Sequence, residues 1–236
     1  MKMDLYRQIF LRKSCRKYKM TPLTTAQLEE MEAFISGMRP LLPGVEIGHR
    51  LVGPDQIRGL FVPKAPHYVL ISGEDVPYRD LCAGFLFQQL DLYLSAQGLG
   101  TCWIAGAKLP KDDILVISVG ETVGSHTRTL EEFKRKSLAE ISIGEDSRLE
   151  MARLAPSGMN AQPWYFIVQD GVIHVYQVRS GKLKAMVYDL EELDVGIALC
   201  HLALATEAQG GVFRFETGRQ DAPAAPQGFV YVGAVV

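Results

Sequence analysis

The sequence predicts an α+β fold built from two tandem halves, and three observations point there. Two long apolar helical stretches share a pattern, two apolar runs of strand length each follow a proline, and a polar segment separates the pairs. Gly84 and Gly196 each open one of the helical stretches, and twelve residues later both read Ala-Gln-Gly, at 96–98 and 208–210. Leu90 and Leu202 fall at the same offset. Pro66-His67-Tyr68-Val69-Leu70-Ile71 echoes Pro163-Trp164-Tyr165-Phe166-Ile167-Val168. The offsets are 112 and 97 residues, so one loop has to differ in length between the halves. Self-similarity recurring in the same order is the mark of a duplication.

The elements follow in chain order. Thr24 to Met38 reads as a helix, because Thr24 and Gln27 have capping-box spacing and Leu28, Met31 and Ile35 form an apolar stripe. His67 to Ser72 reads as a buried strand. Asp80 to Gln97 reads as a long helix, with Cys82, Leu86, Leu90 and Leu94 four apart and Gly98 placed to end it. Ile114 to Val119 is a closing strand. Gly120 to Asp146 is polar and lacks a strong period, so it reads as a connector. Ser147 to Leu154 repeats the capping-box device with Ser147 and Glu150, Trp164 to Val168 is the next strand, and Asp194 to Gln209 is a helix apolar nearly all round. Phe229 to Val236 closes the second half. The expected organisation is a first half over 1–120, a connector over 121–146 and a second half over 147–236.

The 236 residues, 47% hydrophobic and 22% charged, suit a globular chain and exclude a disordered one. A formal net charge of −2 gives no electrostatic reason to expect nucleic acid. Met1 to Tyr18 is basic without the apolar run of a secretory signal, and no run reaches the length of a membrane span. Cys15, Cys82, Cys102 and Cys200 are scattered, so free thiols and a cytoplasmic location are expected. The histidines show no metal-ligand spacing, and His201, inside an apolar helix, reads as a packed core residue.

The halves differ in their polar residues. Only the first carries Arg12-Lys13-Ser14-Cys15-Arg16-Lys17-Tyr18. These clustered cations with a serine among them suit a phosphate, which guanidinium groups can chelate in bidentate fashion; a solvated basic face is the alternative. Only the second carries Ala155-Pro156-Ser157-Gly158-Met159-Asn160-Ala161-Gln162-Pro163-Trp164. The proline ends the preceding helix, and Ser157, Gly158 and Asn160 form a loop able to hydrogen-bond a flat heteroaromatic ligand or serve as an ordinary turn.

Arg-Lys-Ser-x-Arg-x-Tyr, Ala-Pro-Ser-x-x-Asn-x-Gln-Pro-Trp and Gly98-Leu99-Gly100-Thr101-Cys102-Trp103-Ile104-Ala105-Gly106 together resemble the signatures of the FMN-dependent nitroreductase family. The resemblance implies a nitroreductase-like fold with mainly antiparallel sheets and long central helices. In ordinary members both motifs occur in every chain, and the flavin lies between two subunits. Here each motif occurs in one half only, which resembles the TM-nitroreductase branch, whose single chain is a pseudo-dimer with pseudo-twofold symmetry. One FMN per chain follows, with Arg58 to Pro63 read as the place where the first half has lost its Pro-Ser loop.

The resemblance implies that Arg12, Lys13, Ser14 and Arg16 hold the phosphate and ribityl oxygens. Pro156, Ser157, Gly158 and Asn160 would close over the cofactor, and Trp103, Ile104, Ala105 and Gly106 would run beside its reactive edge. Many members have an acidic residue where this chain has Ala105. Phe133-Lys134-Arg135-Lys136-Ser137-Leu138 resembles a late basic motif, with Lys134 and Lys136 the expected contacts. The implied activity is NAD(P)H oxidation with hydride passed through flavin N5 to a nitroaromatic, quinone or enone by a ping-pong scheme. The cofactor carries the chemistry and no side chain is needed as an obligatory acid or base. No nucleic-acid or membrane partner is expected, and a monomer is favoured. A flavin carrier or sensor with little turnover, or a scaffold without flavin, are the alternatives.

Overall fold

The computed structural model describes residues 4–110, 112–179 and 190–236. The first part of the chain contributes helices α1 (Leu5–Gln8), α2 (Thr25–Ser36) and α3 (Arg79–Ala96), with strands β1 (Ile47–Val52), β2 (His67–Gly73), β3 (Gly100–Ile104) and β4 (Asp113–Gly120). After it come α4 (Leu138–Ile141), β5 (Ser142–Ile143), α5 (Leu149–Arg153), β6 (Trp164–Gln169), β7 (Val172–Val178), α6 (Glu191–Ala208), β8 (Phe215–Glu216) and β9 (Phe229–Val235). One sheet has the order β1-β2-β4-β3 and is antiparallel throughout; the other has the order β5-β6-β7-β9-β8 and is antiparallel except at β5–β6.

The helix α2 begins as its sequence dictates. Thr24 Oγ1 accepts from the Gln27 N–H, and Gln27 Oε1 accepts from the Thr24 N–H. The second expected capping box does not form. Arg153 holds both oxygens of Glu150, Ser147 Oγ accepts from Gln209 instead, and the Leu149 amide donates to the Asp146 carbonyl. The two long helices end alike. Gly98 and Gly210 take positive φ, and the next amide (Leu99, Gly211) reaches back to the carbonyls of Leu94 and Thr206, the Schellman closure for which glycine is favoured.

α3 packs on the first sheet, α6 on the second, and the two helices pack on each other. Their crossing is reciprocal. A Cβ on Gly84 would stand 2.0 Å from the Leu193 carbonyl oxygen, and one on Gly196 would stand 2.0 Å from that of Leu81. Each clash partner lies three residues before the other glycine, so the same 112-residue offset seen in the sequence relates the two contacts. Side chains larger than hydrogen are excluded from both helices at this point by backbone, not by movable side chains.

The topology corrects the expected strand equivalence. β6 is the strand that precedes and pairs with β7, as β1 precedes and pairs with β2. Position therefore matches β1 with β6 and β2 with β7, whereas the sequence echo joins β2 to β6. His49 and Arg50 hide β1 as an apolar run; Glu32 lies 2.8 Å from His49 Nε2, and Asp113 pairs with Arg50. By the same reasoning Arg58 to Pro63, between β1 and β2, is not the counterpart of the Pro-Ser loop. That place belongs to residues 37–46, which precede β1.

One cluster joins α5, α6 and the second sheet and reaches across to Leu81, Cys82 and Phe85 of α3; another joins α2, α3 and the first sheet, and a third packs Cys15, Tyr18 and Ile57 on Leu70, Ile104 and Val116 of that sheet. All four cysteines are free and buried. His201 is fully buried, with Nδ1 2.8 Å from the Met151 carbonyl and Nε2 3.1 Å from Gln88, the packed core residue its apolar helix indicates. No helix of the described residues is long and apolar enough to cross a membrane.

Candidate functional site

The basic motif after α1 folds back along β3. Ser14 bridges Thr101, and the Cys15 amide donates to the Thr101 carbonyl at 2.7 Å. Arg12 is carried inside by this path and is 1% exposed. Its Nε lies 3.0 Å from Asp91 Oδ2 on α3, and its Nη2 donates to Ser14 Oγ at 3.2 Å. The Arg12–Asp91 contact is a close ion pair without an aligned hydrogen bond. Thr101 Oγ1 donates to the other Asp91 oxygen. Lys13 and Ser14 are half-buried and Arg16 is exposed.

Three further guanidinium groups gather beside Arg12. Arg128, from the connector, donates through Nε to the Arg12 carbonyl at 3.0 Å and lies over the Phe133 ring at 3.5 Å. Arg135 lies 5.7 Å from the same ring, and Arg153 is close enough to repel it. Burial, aided by repulsion from Arg12, lowers Arg128 to about 10; burial, aided by Arg128, Arg12 and Arg153, lowers Arg135 to about 9. Asp91 partners Arg12 and Glu150 partners Arg153, but neither Arg128 nor Arg135 has a carboxylate within ion-pair distance among the described residues. Half-buried like charges held together without counter-charge favour an incoming anion.

Arg135 also joins the two motifs. Its Nη1 donates to Asn160 Oδ1, its Nη2 donates to the Leu154 carbonyl at 3.3 Å, and Asn160 Nδ2 donates to the Lys134 carbonyl at 2.8 Å. Lys136 Nζ donates to the carbonyls of Ala161 and Gln162 at 3.0 and 3.1 Å, while the Lys134 side chain is exposed. Within the loop, Ser157 Oγ accepts from the Gln162 amide, and both Asp194 oxygens accept from the Gly158 amide at 3.0 and 3.1 Å. Burial pushes the Asp194 carboxyl well above the usual range, with Glu191 adding to the rise and the Gly158 bond opposing it. Met159, Asn160 and Gln162 all take positive φ, a strained arrangement that persists only where surrounding bonds over-determine it.

The third stretch divides. Trp103 and Ala105 pack on the large apolar cluster that also holds Phe133, Leu154, Ala155 and Trp164, and Trp103 packs on the cluster of the first sheet as well. Ile104 turns into the cluster of Cys15 and Tyr18. Gly106 is covered by the 57–62 segment, its carbonyl accepting from the Leu60 amide at 3.0 Å. Trp103 Nε1 and Arg135 Nε are buried without an acceptor among the described residues. Cavities of about 520 and 380 Å³ lie elsewhere, beside Arg39 and Glu207 and beside Ile57 and Tyr68.

Of the residues that the sequence singles out, Arg12 and Asn160 are linked through Arg128, Phe133 and Arg135. Sequence reasoning passed over Asp91, Arg128, Arg135 and Asp194. A lone carboxylate inside an apolar helix marks Asp91; Asp194 is masked by Glu191 and Glu192 in the acidic first turn of α6, and nothing in the sequence around Arg128 singles it out.

Two sheets flanking a crossed helix pair, with a cationic cluster joined to a proline-serine loop, define a nitroreductase-like fold. The family model described as "Putative TM nitroreductase" matches residues 4–206, and the chain belongs to that family. Its fold is similar to that of a protein from Thermotoga maritima described as a putative nitroreductase, at a TM-score of 0.71 and 20% identity, covering 100% of this chain and 94% of that one. A nitroreductase family protein from Clostridium difficile matches with a TM-score of 0.45 and 16% identity, over 59% of this chain and 96% of that one. An NADH dehydrogenase/NAD(P)H nitroreductase from Bacteroides thetaiotaomicron, so described with the qualifier putative, matches with a TM-score of 0.46 and 16% identity, over 60% and 98%. Comparison with curated proteins gives no match.

Proposed function

We propose that the chain is an FMN-dependent NAD(P)H oxidoreductase that binds one FMN between its two halves, 1–120 and 147–236, and reduces a small organic acceptor. The observation that carries this reading is the guanidinium cluster that connects the Arg12–Arg16 motif to the Pro156–Asn160 loop through the Arg135–Asn160 hydrogen bond. The residues present fit the cofactor: uncompensated half-buried cations suit its phosphate, and the orphaned donors Trp103 Nε1 and Arg135 Nε suit its acceptor atoms. The reciprocal crossing at Gly84 and Gly196 supports a pseudo-dimer, and the occurrence of each motif in one half supports a single site.

When bound, FMN supplies hydride exchange between a nicotinamide donor and an acceptor such as a nitroaromatic, quinone or enone. The protein's part is position and charge. Lys13, Ser14 and Arg16 line the phosphate and ribityl end together with the cluster. Asp194, Ser157, Arg135 and Lys136 hold the strained loop in one conformation, so Pro156 to Asn160 meets the cofactor without reordering. Trp103 and Ala105 approach from the first half, with Gly106 following. A single chain that supplies both halves acts as a cytoplasmic monomer in this reading.

The test is reconstitution with FMN followed by NADH and NADPH oxidation in the presence of nitroaromatics and quinones. Reduction of an acceptor with FMN bound supports the proposal. Retained flavin without turnover on any acceptor replaces it with a carrier or sensor, and failure to take up FMN replaces it with a scaffold.

A further inference from the structure

We infer that the cavity of about 520 Å³ beside Arg39 and Glu207 is a second small-molecule site, which takes a planar aromatic cation without phosphate. It stands whether or not the first site binds FMN.

The cavity's place is fixed by the internal symmetry. α3 and α6 have the same length, and each residue of one has its counterpart 112 positions away in the other. The crossing at Gly84 and Gly196 obeys that relation, and the loops resting on the helix starts follow it. The Gly158 amide donates to both oxygens of Asp194. The counterpart of Asp194 is Cys82, and the amide that lies against its thiol is that of Leu42. Leu42 and Gly158 stand 116 residues apart, as do Pro40 and Pro156. Pro40-Leu41-Leu42 is therefore the first half's remnant of Pro156-Ser157-Gly158, with leucines in place of serine and glycine. The helix interiors repeat the pattern. Gln88 and His201 bond to each other within reach of the Arg12 and Arg135 charges. Their counterparts, Cys200 and Gln89, both line the cavity.

The chemistry of this place has been exchanged. The counterpart of Asp91, which faces Arg12, is Ala203, and Arg39 is the one cation among the described lining residues. Its guanidinium donates to Glu207 and lies 5.7 and 5.6 Å from the Phe85 and Phe213 rings. Gln89 fixes the Arg39 backbone, accepting from its amide at 3.2 Å and donating to its carbonyl at 2.8 Å. Arg39 is thereby committed to protein partners, and Asp4 adds a second carboxylate to the lining. A phosphate finds no unpaired cation there, whereas a cation meets a surplus of negative charge. Leu5, Tyr6, Leu204 and Ala208 supply apolar wall, and the volume is that of a small-molecule site. A flat aromatic ring buries a large area on such a wall.

Ethidium, a planar aromatic cation whose emission is clear of that of flavin, is the probe, and anilinonaphthalene sulfonate is the anionic control. Both are titrated by fluorescence into the parent with and without FMN, and into Leu204→Trp and Glu207→Gln proteins, with circular dichroism to confirm folding. The parent is expected to bind ethidium equally with FMN present or absent. Leu204→Trp fills the cavity and should weaken ethidium about tenfold or more while leaving FMN affinity unchanged. Glu207→Gln should weaken ethidium about three- to fivefold and strengthen the sulfonate. Ethidium that the parent does not bind, that FMN displaces, or that Leu204→Trp binds as tightly as the parent overturns the inference. A sulfonate that binds the parent more tightly than ethidium overturns it too. Should the parent take up no FMN, the flavin reading fails, and the ethidium comparison of parent with Leu204→Trp still decides. Should Leu204→Trp not fold, Ala208→Trp, at the exposed end of α6, takes its place.

Discussion

Replacing Gly84 with alanine tests the crossing of α3 and α6 on which the architecture depends. The added Cβ would sit 2.0 Å from the Leu193 carbonyl oxygen and 2.9 Å from its carbon, where ordinary contact begins at 3.4 Å. Both obstacles are backbone, so no rotamer change relieves them, and the helices have to part by about 1.4 Å at this point. The neighbours Leu81, Phe85, Leu193 and Ile197 are at most 2% exposed, so parting the helices also opens voids among them. Overpacking of this kind costs about 1–3 kcal/mol and sometimes more, while alanine's helix propensity returns about 1 kcal/mol. With backbone on both sides the upper end of the range applies, and a net loss of about 2 kcal/mol is expected. For a chain of this length that corresponds to a fall of about 4–8 °C in melting temperature. Gly196→Ala should cost the same, because its Cβ meets Leu81 at the same 2.0 Å. The double substitution should cost less than the sum, since one separation relieves both clashes. Gly37→Ala, whose Cβ would meet nothing nearer than 3.6 Å, is the control and should stay within about 0.5 kcal/mol. A Gly84→Ala protein as stable as the parent would refute the close backbone contact.

Other predictions follow from single features. Cys15 lies among cations, yet burial outweighs Arg12 and Lys13 and pushes its thiol up, so it should resist alkylation in the native protein and react only on unfolding; rapid native labelling would contradict its burial. The raised Asp194 carboxyl holds its proton in the fold more tightly than in the unfolded chain. Its contribution is therefore full below the ordinary Asp range and is lost as pH rises through the folded-state value. Asp194→Asn, which keeps an acceptor for the Gly158 amide, should melt higher than the parent at pH 7 and remove that part of the pH dependence; a lower melting temperature at neutral pH would show that the carboxylate is needed. His201→Ala strands the Gln88 amide and the Met151 carbonyl and leaves a cavity, and should cost about 2–4 kcal/mol in denaturant unfolding.

The parts of the fold that the sequence discloses are those decided locally. Thr24 and Gln27 cap α2 from within one turn, and Gly98 and Gly210 end α3 and α6 with positive φ, so both signals survive into the structure. Features decided by distant partners are hidden. β1 carries His49 and Arg50, whose acidic partners Glu32 and Asp113 come from α2 and β4, and the apolar alternation that marks a strand is lost. Ser147 and Glu150 have the spacing of a cap but are taken by Gln209 and Arg153. The site behaves likewise. Its two motifs can be read, but the residues that bring them together, Arg128 and Arg135, come from a segment with no strong period. Lys134 and Lys136 attract notice there by charge, while Arg135 between them donates to Asn160.

The central claim is one flavin site made from two unequal halves, and the stoichiometry of bound FMN tests it most directly. The visible flavin absorbance of the reconstituted and desalted protein, set against its protein concentration, should give one FMN per chain. Two per chain, or none after incubation with excess FMN, would contradict it.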